Sequence, residues 1–303
     1  MPLPVATANE KSLRRAVLPA AGLGTRLRPL TQAFPKELLP VGRKPVLAHI
    51  ATELLGAGIT EALFIVSERK PQIRGFFGES YEDDVTGGVL HCSYTVQEQQ
   101  RGLGDALLYA ADWSEGEPFV VAFGDCLIDA PDSSAPLRRL MAAHQNEGSD
   151  ATVLTEQVAW EKVVRYGVLA PAEPQPDVPT EPFALADIVE KPAPQDAPSR
   201  NVVAARWILA PAIFAILRRT PLDARGELNL TDAVRTLKQE GGHLWAVPLR
   251  SGEFRRDIGN FETFYAAFLR AALTDPEFGA SARRVAQEVL DADLPGGEAR
   301  TAF

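Results

Sequence analysis

Cysteine, histidine and methionine are scarce in this sequence, which has two Cys, four His and two Met among 303 residues. So few scattered Cys and His provide no zinc-ligand spacing. Cys92 and Cys126 each lie in an apolar stretch. They read as reduced, buried thiols in a reducing compartment rather than as a disulfide. Long apolar runs are missing too: none approaches the ~18–20 residues of a membrane span. Met1 to Glu10 has no apolar core of signal-peptide length, so it reads as a loose leader. Together these absences point to a cytoplasmic protein that does not engage a membrane. No internal repeat or low-complexity tract is present. Positive charge is also in short supply. Lys and Arg total 31 against 40 Asp and Glu, a formal net charge of −9, which argues against a nucleic-acid-binding surface.

What the chain does have is 46% hydrophobic residues, enough to bury a large core in one domain or in a domain with a lobe. Its basic residues are concentrated. Arg14, Arg15, Arg26, Arg28, Lys36, Arg43 and Lys44 fall in one segment that holds a single acid, Glu37. An acidic protein with one basic segment suits a small polyanion as ligand. A solvated basic surface would give the same charges, but not the glycines and prolines interleaved with them, which fix the shape of the backbone.

The first half alternates short apolar runs with helical patterns. Strands are predicted at Ala16–Pro19, Ala62–Ser67, Leu90–Val96, Phe119–Phe123 and Ala151–Glu156, and helices at Val46–Ala57, Asp105–Trp113 and Leu137–Asn146. This β-α-β-α order predicts a mostly parallel sheet covered by helices. Prolines then recur at Pro171, Pro174, Pro176, Pro179, Pro182, Pro192, Pro194 and Pro198. An interdomain linker would look similar. Loops inside one domain are the better reading, because the strand-like runs Ala184–Glu190 and Val202–Leu209 are too short to found a second one. Helical patterns follow at Ala212–Arg219, Thr231–Glu240 and Phe261–Leu273, with a short strand at Leu244–Pro248, and Pro295 to Phe303 reads as a loose end.

Four places carry chemistry. After the first strand, small residues at Ala20, Ala21, Gly22 and Gly24 let successive backbone N–H groups approach an anion, and Arg26 adds a forked cation just beyond Thr25. The loop is neither a Walker loop nor a dinucleotide fingerprint. Pro35 and Pro40 hold Lys36 on a rigid loop. The strand Phe119–Phe123 runs into Gly124-Asp125, where open α/β sheets bind ligands, although a turn-capping Asp looks the same. Asp257 is a second carboxylate, and two carboxylates suit octahedral Mg²⁺. Glu190-Lys191-Pro192 alone would read as a solvated ion-pair turn, and Gln97 as one of three loop glutamines with Gln99 and Gln100.

The segment from Ala16 to Pro45 resembles the opening of the bacterial UTP–glucose-1-phosphate uridylyltransferases, within the wider nucleoside-triphosphate–sugar transferase family. The resemblance runs from about residue 15 to 270. It takes in Gln97, Gly102-Leu103-Gly104, Gly124-Asp125, Tyr166-Gly167, Glu190-Lys191-Pro192, Glu227 to Asp232 and Asp257-Ile258-Gly259 in order. It implies a Rossmann-like three-layer α/β/α sandwich with a small sugar-side lobe. The leader would be residues 1–14, the catalytic domain 15–275, and a C-terminal helix and tail 276–303.

The resemblance also implies roles. Arg26, Lys36 and Lys191 would be catalytic. Ala20, Ala21, Gly22, Gly24, Thr25, Glu37, Gln97 and Gly102 would bind nucleotide, and Gly124, Gly167 and Glu190 the sugar. Asp125 and Asp257 would hold Mg²⁺. The expected partners are small molecules, UTP and glucose 1-phosphate, in a homo-oligomer. Three features depart from the pattern: Gln32 where a lysine is usual, Arg256 where a histidine is usual, and a segment from Gln72 to His91 shorter than the family's helical insertion. Two other readings stay open. One is a relative using another nucleotide or sugar, such as a glucose-1-phosphate thymidylyltransferase; the other is a non-catalytic regulatory paralogue.

Overall fold

The computed structural model describes residues 13–292. The leader expected at Met1–Glu10 and the loose end expected at Pro295–Phe303 lie outside the described residues. The first half contains β1 (Arg15–Pro19), α1 (Leu30–Ala33), β2 (Pro40–Val41), β3 (Lys44–Pro45), α2 (Val46–Gly56), β4 (Glu61–Val66), α3 (Pro71–Phe77), β5 (Ser80–Glu82), β6 (Val89–Val96), α4 (Leu103–Leu108), β7 (Phe119–Ala122), β8 (Cys126–Asp129) and α5 (Ala135–Asn146). The second half contains β9 (Ala151–Gln157), β10 (Gly167–Pro171), β11 (Phe183–Glu190), β12 (Asn201–Leu209), α6 (Ala212–Leu217), α7 (Leu230–Gln239), β13 (Leu244–Pro248), β14 (Phe254–Asp257), α8 (Phe261–Thr274) and α9 (Gly279–Asp291).

Side-chain alternation along the central strands builds three layers. Ala16 and Leu18 of β1, Phe64 of β4 and Val120 of β7 face a core shared with Ile50 and Leu54 of α2 and Leu137 and Leu140 of α5. Their neighbours Val17, Leu63, Ile65 and Val121 face the opposite core, with Leu107 of α4, Phe214 of α6 and Val234 of α7. Burial on both faces is why these strands read as continuous apolar runs. A third, small cluster of Val163, Val168 and Val202 sits where β10 meets β12.

One ten-stranded sheet joins β10-β11-β13-β9-β12-β7-β1-β4-β6-β5. The expectation of an α/β/α sandwich holds, but that of a mostly parallel sheet needs correction. β7, β1, β4 and β6 are parallel neighbours, as are β9 and β13. The ladders β10–β11, β10–β12, β11–β13, β12–β7, β12–β9 and β5–β6 are antiparallel. A parallel pair needs a long crossover, usually a helix. The proline-rich stretch supplies none, so β10 and β11 meet as a hairpin.

β8 and β14, which the sequence reading missed, form a separate antiparallel pair with Cys126 opposite Asp257. β12 is also irregular. Its register against β9 shifts between Val203 and Trp207, and Ala205 takes a left-handed φ of 62°, the mark of a bulge.

Candidate active site

The end of β1 opens into the glycine loop. Among the described residues, no backbone hydrogen bond is donated by the N–H groups of Ala21, Gly22, Leu23 or Gly24, which leaves a row of donors for an anion. Gly24 needs its glycine: its φ is 64°, and a Cβ there would lie 3.1 Å from Thr31 Cγ2. Ala20 differs from the expectation. Its N–H donates to Ile65 O at 2.8 Å, and its carbonyl accepts from Lys70 Nζ at 2.7 Å, so it anchors the loop.

Glu37 also needs correction. Its carboxylate is 1% exposed and accepts from Lys70 Nζ at 2.9 and 2.8 Å, so it has no surface to offer a nucleotide. Lys70 therefore ties the glycine loop to the Pro35–Pro40 loop from below. Burial raises the carboxyl and lowers the amine from their ordinary values, against their mutual attraction.

Lys36 lies over the loop. A Cβ on Gly22 would stand 3.9 Å from its Nζ, and the amine donates to Asp125 Oδ2. Burial, the largest influence, works against its charge, but Asp125 and Glu37 together outweigh it and hold the lysine above its ordinary value. Burial likewise opposes ionisation of Asp125, and Lys36 reverses it and keeps that carboxyl low. The β8–β14 ladder then brings Asp257 alongside. Oxygens of Asp125 and Asp257 and the thiol of Cys126 all lie within 4.8 Å of one another. Burial and the charge of Asp125 raise Asp257, while Arg26 is among the cations that oppose this rise.

Asp125 and Asp257 line a cleft of about 330 Å³ together with Gly167, Glu190 and Lys191. Lys191 Nζ pairs with Glu190 Oε1 at 2.7 Å. The backbone at Lys191 is left-handed, φ 44°, a conformation that costs about 1–3 kcal/mol outside glycine and tends to mark working sites. Gly167 admits Thr231 and Val203: a Cβ would lie 3.1 Å from Thr231 Oγ1. Gly124, expected at the sugar, is instead buried. A Cβ would lie 3.0 Å from Pro19 O and 3.3 Å from Glu37 Cγ, so its glycine lets β1, β7 and the Lys36 loop converge.

Two quoted motifs prove to be one contact. Gly104 N donates to Leu228 O at 2.8 Å, and Leu228 N to Arg101 O at 2.7 Å. Gly102 has φ 94°, and a Cβ on it or on Gly104 would lie 2.8 Å from Leu228 O. Gln97 stands beside this junction and is buried.

Sequence reasoning missed Arg255. It shares a face of β14 with Asp257, and both enter the cleft. Its guanidinium lies 4.4 Å from the centre of the Tyr166 ring, with Glu156 Oε1 at 2.5 Å. Alternation on a strand ending at Asp257 was the signal that could have found it. Arg256 turns the other way, toward Asp129 at 3.2 Å, so Asp129 stands apart from the carboxylate pair. A second unforeseen feature lies beneath the site: fully buried Arg206 grips Glu53 with two bonds of 2.8 and 2.7 Å and donates to Cys126 O at 3.0 Å.

Comparison with known proteins gives a consistent result. The family model described as nucleotidyl transferase matches residues 15–273. UTP–glucose-1-phosphate uridylyltransferase 2 of Streptococcus pyogenes serotype M3 is 35% identical over 283 residues, covering 88% of this chain and 92% of that protein. Among solved structures, the UTP-bound UGPase from Acinetobacter baumannii superposes with a TM-score of 0.81 at 27% identity, covering 91% of this chain and 99% of that one. A UDP-glucose pyrophosphorylase complexed with UDP-glucose gives 0.76 at 31% identity, over 84% of this chain and 97% of that one.

Proposed function

Because the chain belongs to the nucleotidyl transferase family, we propose that it joins UTP to α-D-glucose 1-phosphate, giving UDP-glucose and pyrophosphate. One observation carries this reading: Asp125, Asp257, Gly167, Glu190 and Lys191 line a single cleft that Lys36 links to the glycine loop. The relatives named above, which carry this activity or were solved with UTP or UDP-glucose, support the choice of substrates.

In this reading an oxygen of the sugar phosphate attacks the α-phosphorus and pyrophosphate leaves in line. The attacking oxygen is already ionised at neutral pH, so no general base is needed. The protein must align two anions and offset their repulsion. Lys191 holds the attacking phosphate, and Glu190 accepts hydrogen bonds from sugar hydroxyls beside Gly167. Arg26, Lys36 and the N–H groups from Ala21 to Thr25 stabilise the triphosphate and then the departing pyrophosphate. Gln97, next to Gly102, reads the base.

Magnesium fits the donors present. Asp125 and Asp257 offer hard oxygen ligands, while burial pushes the Cys126 thiol up to about 12, where it stays protonated. The two aspartates would hold the ion, which when bound supplies positive charge to the phosphoryl oxygens.

The catalytic domain is read as residues 15–275, with a C-terminal helix and tail beyond. A cytoplasmic location accords with two unpaired thiols and with the lack, among the described residues, of a helix long and apolar enough to cross a membrane. A homo-oligomer is proposed as well, since α9 leaves Val285, Val289 and Leu290 exposed.

The decisive experiment measures pyrophosphate release with glucose 1-phosphate and each of UTP, dTTP, CTP, ATP and GTP, with and without Mg²⁺. UTP should give the highest kcat/KM, and chelation should abolish turnover. A preference for dTTP would move the chain to the thymidylyltransferases, and no release with any nucleotide would favour a regulatory paralogue.

A further inference from the structure

Gln97 is the side chain assigned above to the base, and an amide is ambiguous: it can show a partner its oxygen or its NH₂. The surroundings of Gln97 remove that ambiguity. Its Nε2 donates to Asp105 Oδ2 at 2.8 Å and to Gly102 O at 3.3 Å. One acceptor is a carboxylate oxygen and the other a backbone carbonyl, so both amide hydrogens are committed. The other Asp105 oxygen, Oδ1, is held by Arg101, with Nη2 at 3.0 Å and Nε at 3.3 Å. Asp105 itself is buried at the start of α4. Its place is fixed by the contact of Gly102 and Gly104 with Leu228. Among the described residues no donor reaches Gln97 Oε1 by a hydrogen bond.

We propose that Asp105 is a positioning residue for base selection: it pins the Gln97 amide so that only its carbonyl oxygen faces the nucleotide. This rests on the reading of Gln97 as the base contact. A fixed acceptor suits a base that carries N–H at N3, as uracil and thymine do. Cytosine presents a lone pair at N3, and two acceptors would meet with neither satisfied. Asp105 need not touch the nucleotide at all. Its action is to forbid the amide flip that would let Gln97 donate to cytosine.

The test compares kcat/KM for UTP and CTP in the intact enzyme and in Asp105→Ala, Asp105→Asn and Gln97→Ala, with thermal melts and the KM for glucose 1-phosphate alongside. Calorimetric titration of UTP and CTP gives the same comparison without turnover. Asp105→Ala frees the amide. Asp105→Asn keeps the shape, but its amide can donate to Gln97 and favour the flipped state. Each should lower the UTP-to-CTP ratio about tenfold or more, partly through a gain with CTP, with the KM for glucose 1-phosphate within about twofold. A merely structural role would weaken both nucleotides together and leave the ratio alone. The proposal is overturned if both Asp105 variants keep the parent ratio while Gln97→Ala changes it. If Gln97→Ala leaves the ratio unchanged as well, the base reading itself falls and takes the proposal with it. If Asp105→Ala proves unstable, Asp105→Asn, which removes no atoms from the buried site, decides alone.

Discussion

At the scale of single residues the division of labour between two lysines is the sharpest expectation. Lys36 is held against Asp125 and the glycine loop, and Lys191 against Glu190 in the cleft. Loss of a positioned cation beside transferred charge costs about 10²–10³ in rate, but in different places. Lys191→Ala should raise the KM for glucose 1-phosphate more than that for UTP. Lys36→Ala should act on UTP and, in the reverse direction, on pyrophosphate. Steady-state kinetics in both directions checks this, and an equal shift in the same substrate for both variants would contradict it. The residues legible in the sequence were those in short, ordered motifs with a chemical reason: the glycine loop, Lys36, Asp125, Glu190-Lys191 and Asp257. Ala20, Glu37 and Gly124 had the right neighbourhood and the wrong duty, because the sequence carries no sign that Lys70, 33 residues after Glu37, would take its carboxylate. Arg206 and Glu53, 153 residues apart, were invisible for the same reason.

At the scale of elements, strands buried on both faces were easy to read, while β8 and β14 were not. Each is four residues long, and β14 is mostly charged, so neither shows the apolar alternation that marks a strand. α5 offers a test of packing through acidity. His144 on that helix is buried, with Nδ1 2.9 Å from Thr152 Oγ1 of β9. Burial pushes it from the ordinary 6.5 down to about 4, with Asp150 opposing weakly. Above pH 6.5 neither the folded nor the unfolded chain binds the proton, so stability is complete. As the pH falls toward 4 the unfolded chain takes the proton first, and stability drains away. The loss should reach about 3 kcal/mol at most. Urea melts from pH 7 to 4 should show a smaller decline in His144→Gln than in the parent. Parallel curves would mean that His144 is hydrated in solution.

At the scale of the whole molecule, the last two helices leave several apolar side chains exposed. Of the 13 residues of α9 only Gly279 is buried, and Tyr265, Phe268 and Leu269 of α8 are exposed as well. Exposed apolar side chains on adjoining helices suit a contact site in soluble proteins, and a second copy of the chain is the occupant proposed here. Light scattering should return a multiple of the chain mass, and Val285→Glu with Val289→Glu should reduce it. A parent protein of single-chain mass would refute the oligomer.

The β8–β14 ladder has a consequence in time. It sets Cys126 opposite Asp257 and so brings Asp257 beside Asp125, yet the ribosome makes Asp257 long after Asp125. At about 5–20 residues per second, the interval is on the order of ten seconds. Through that interval the nascent chain already owns its glycine loop, Lys36 and Asp125, but has neither the second carboxylate nor Arg255 to complete the cleft. On the proposed reading of Asp257, turnover would therefore begin only after translation has passed β14 and the two halves of the chain have met.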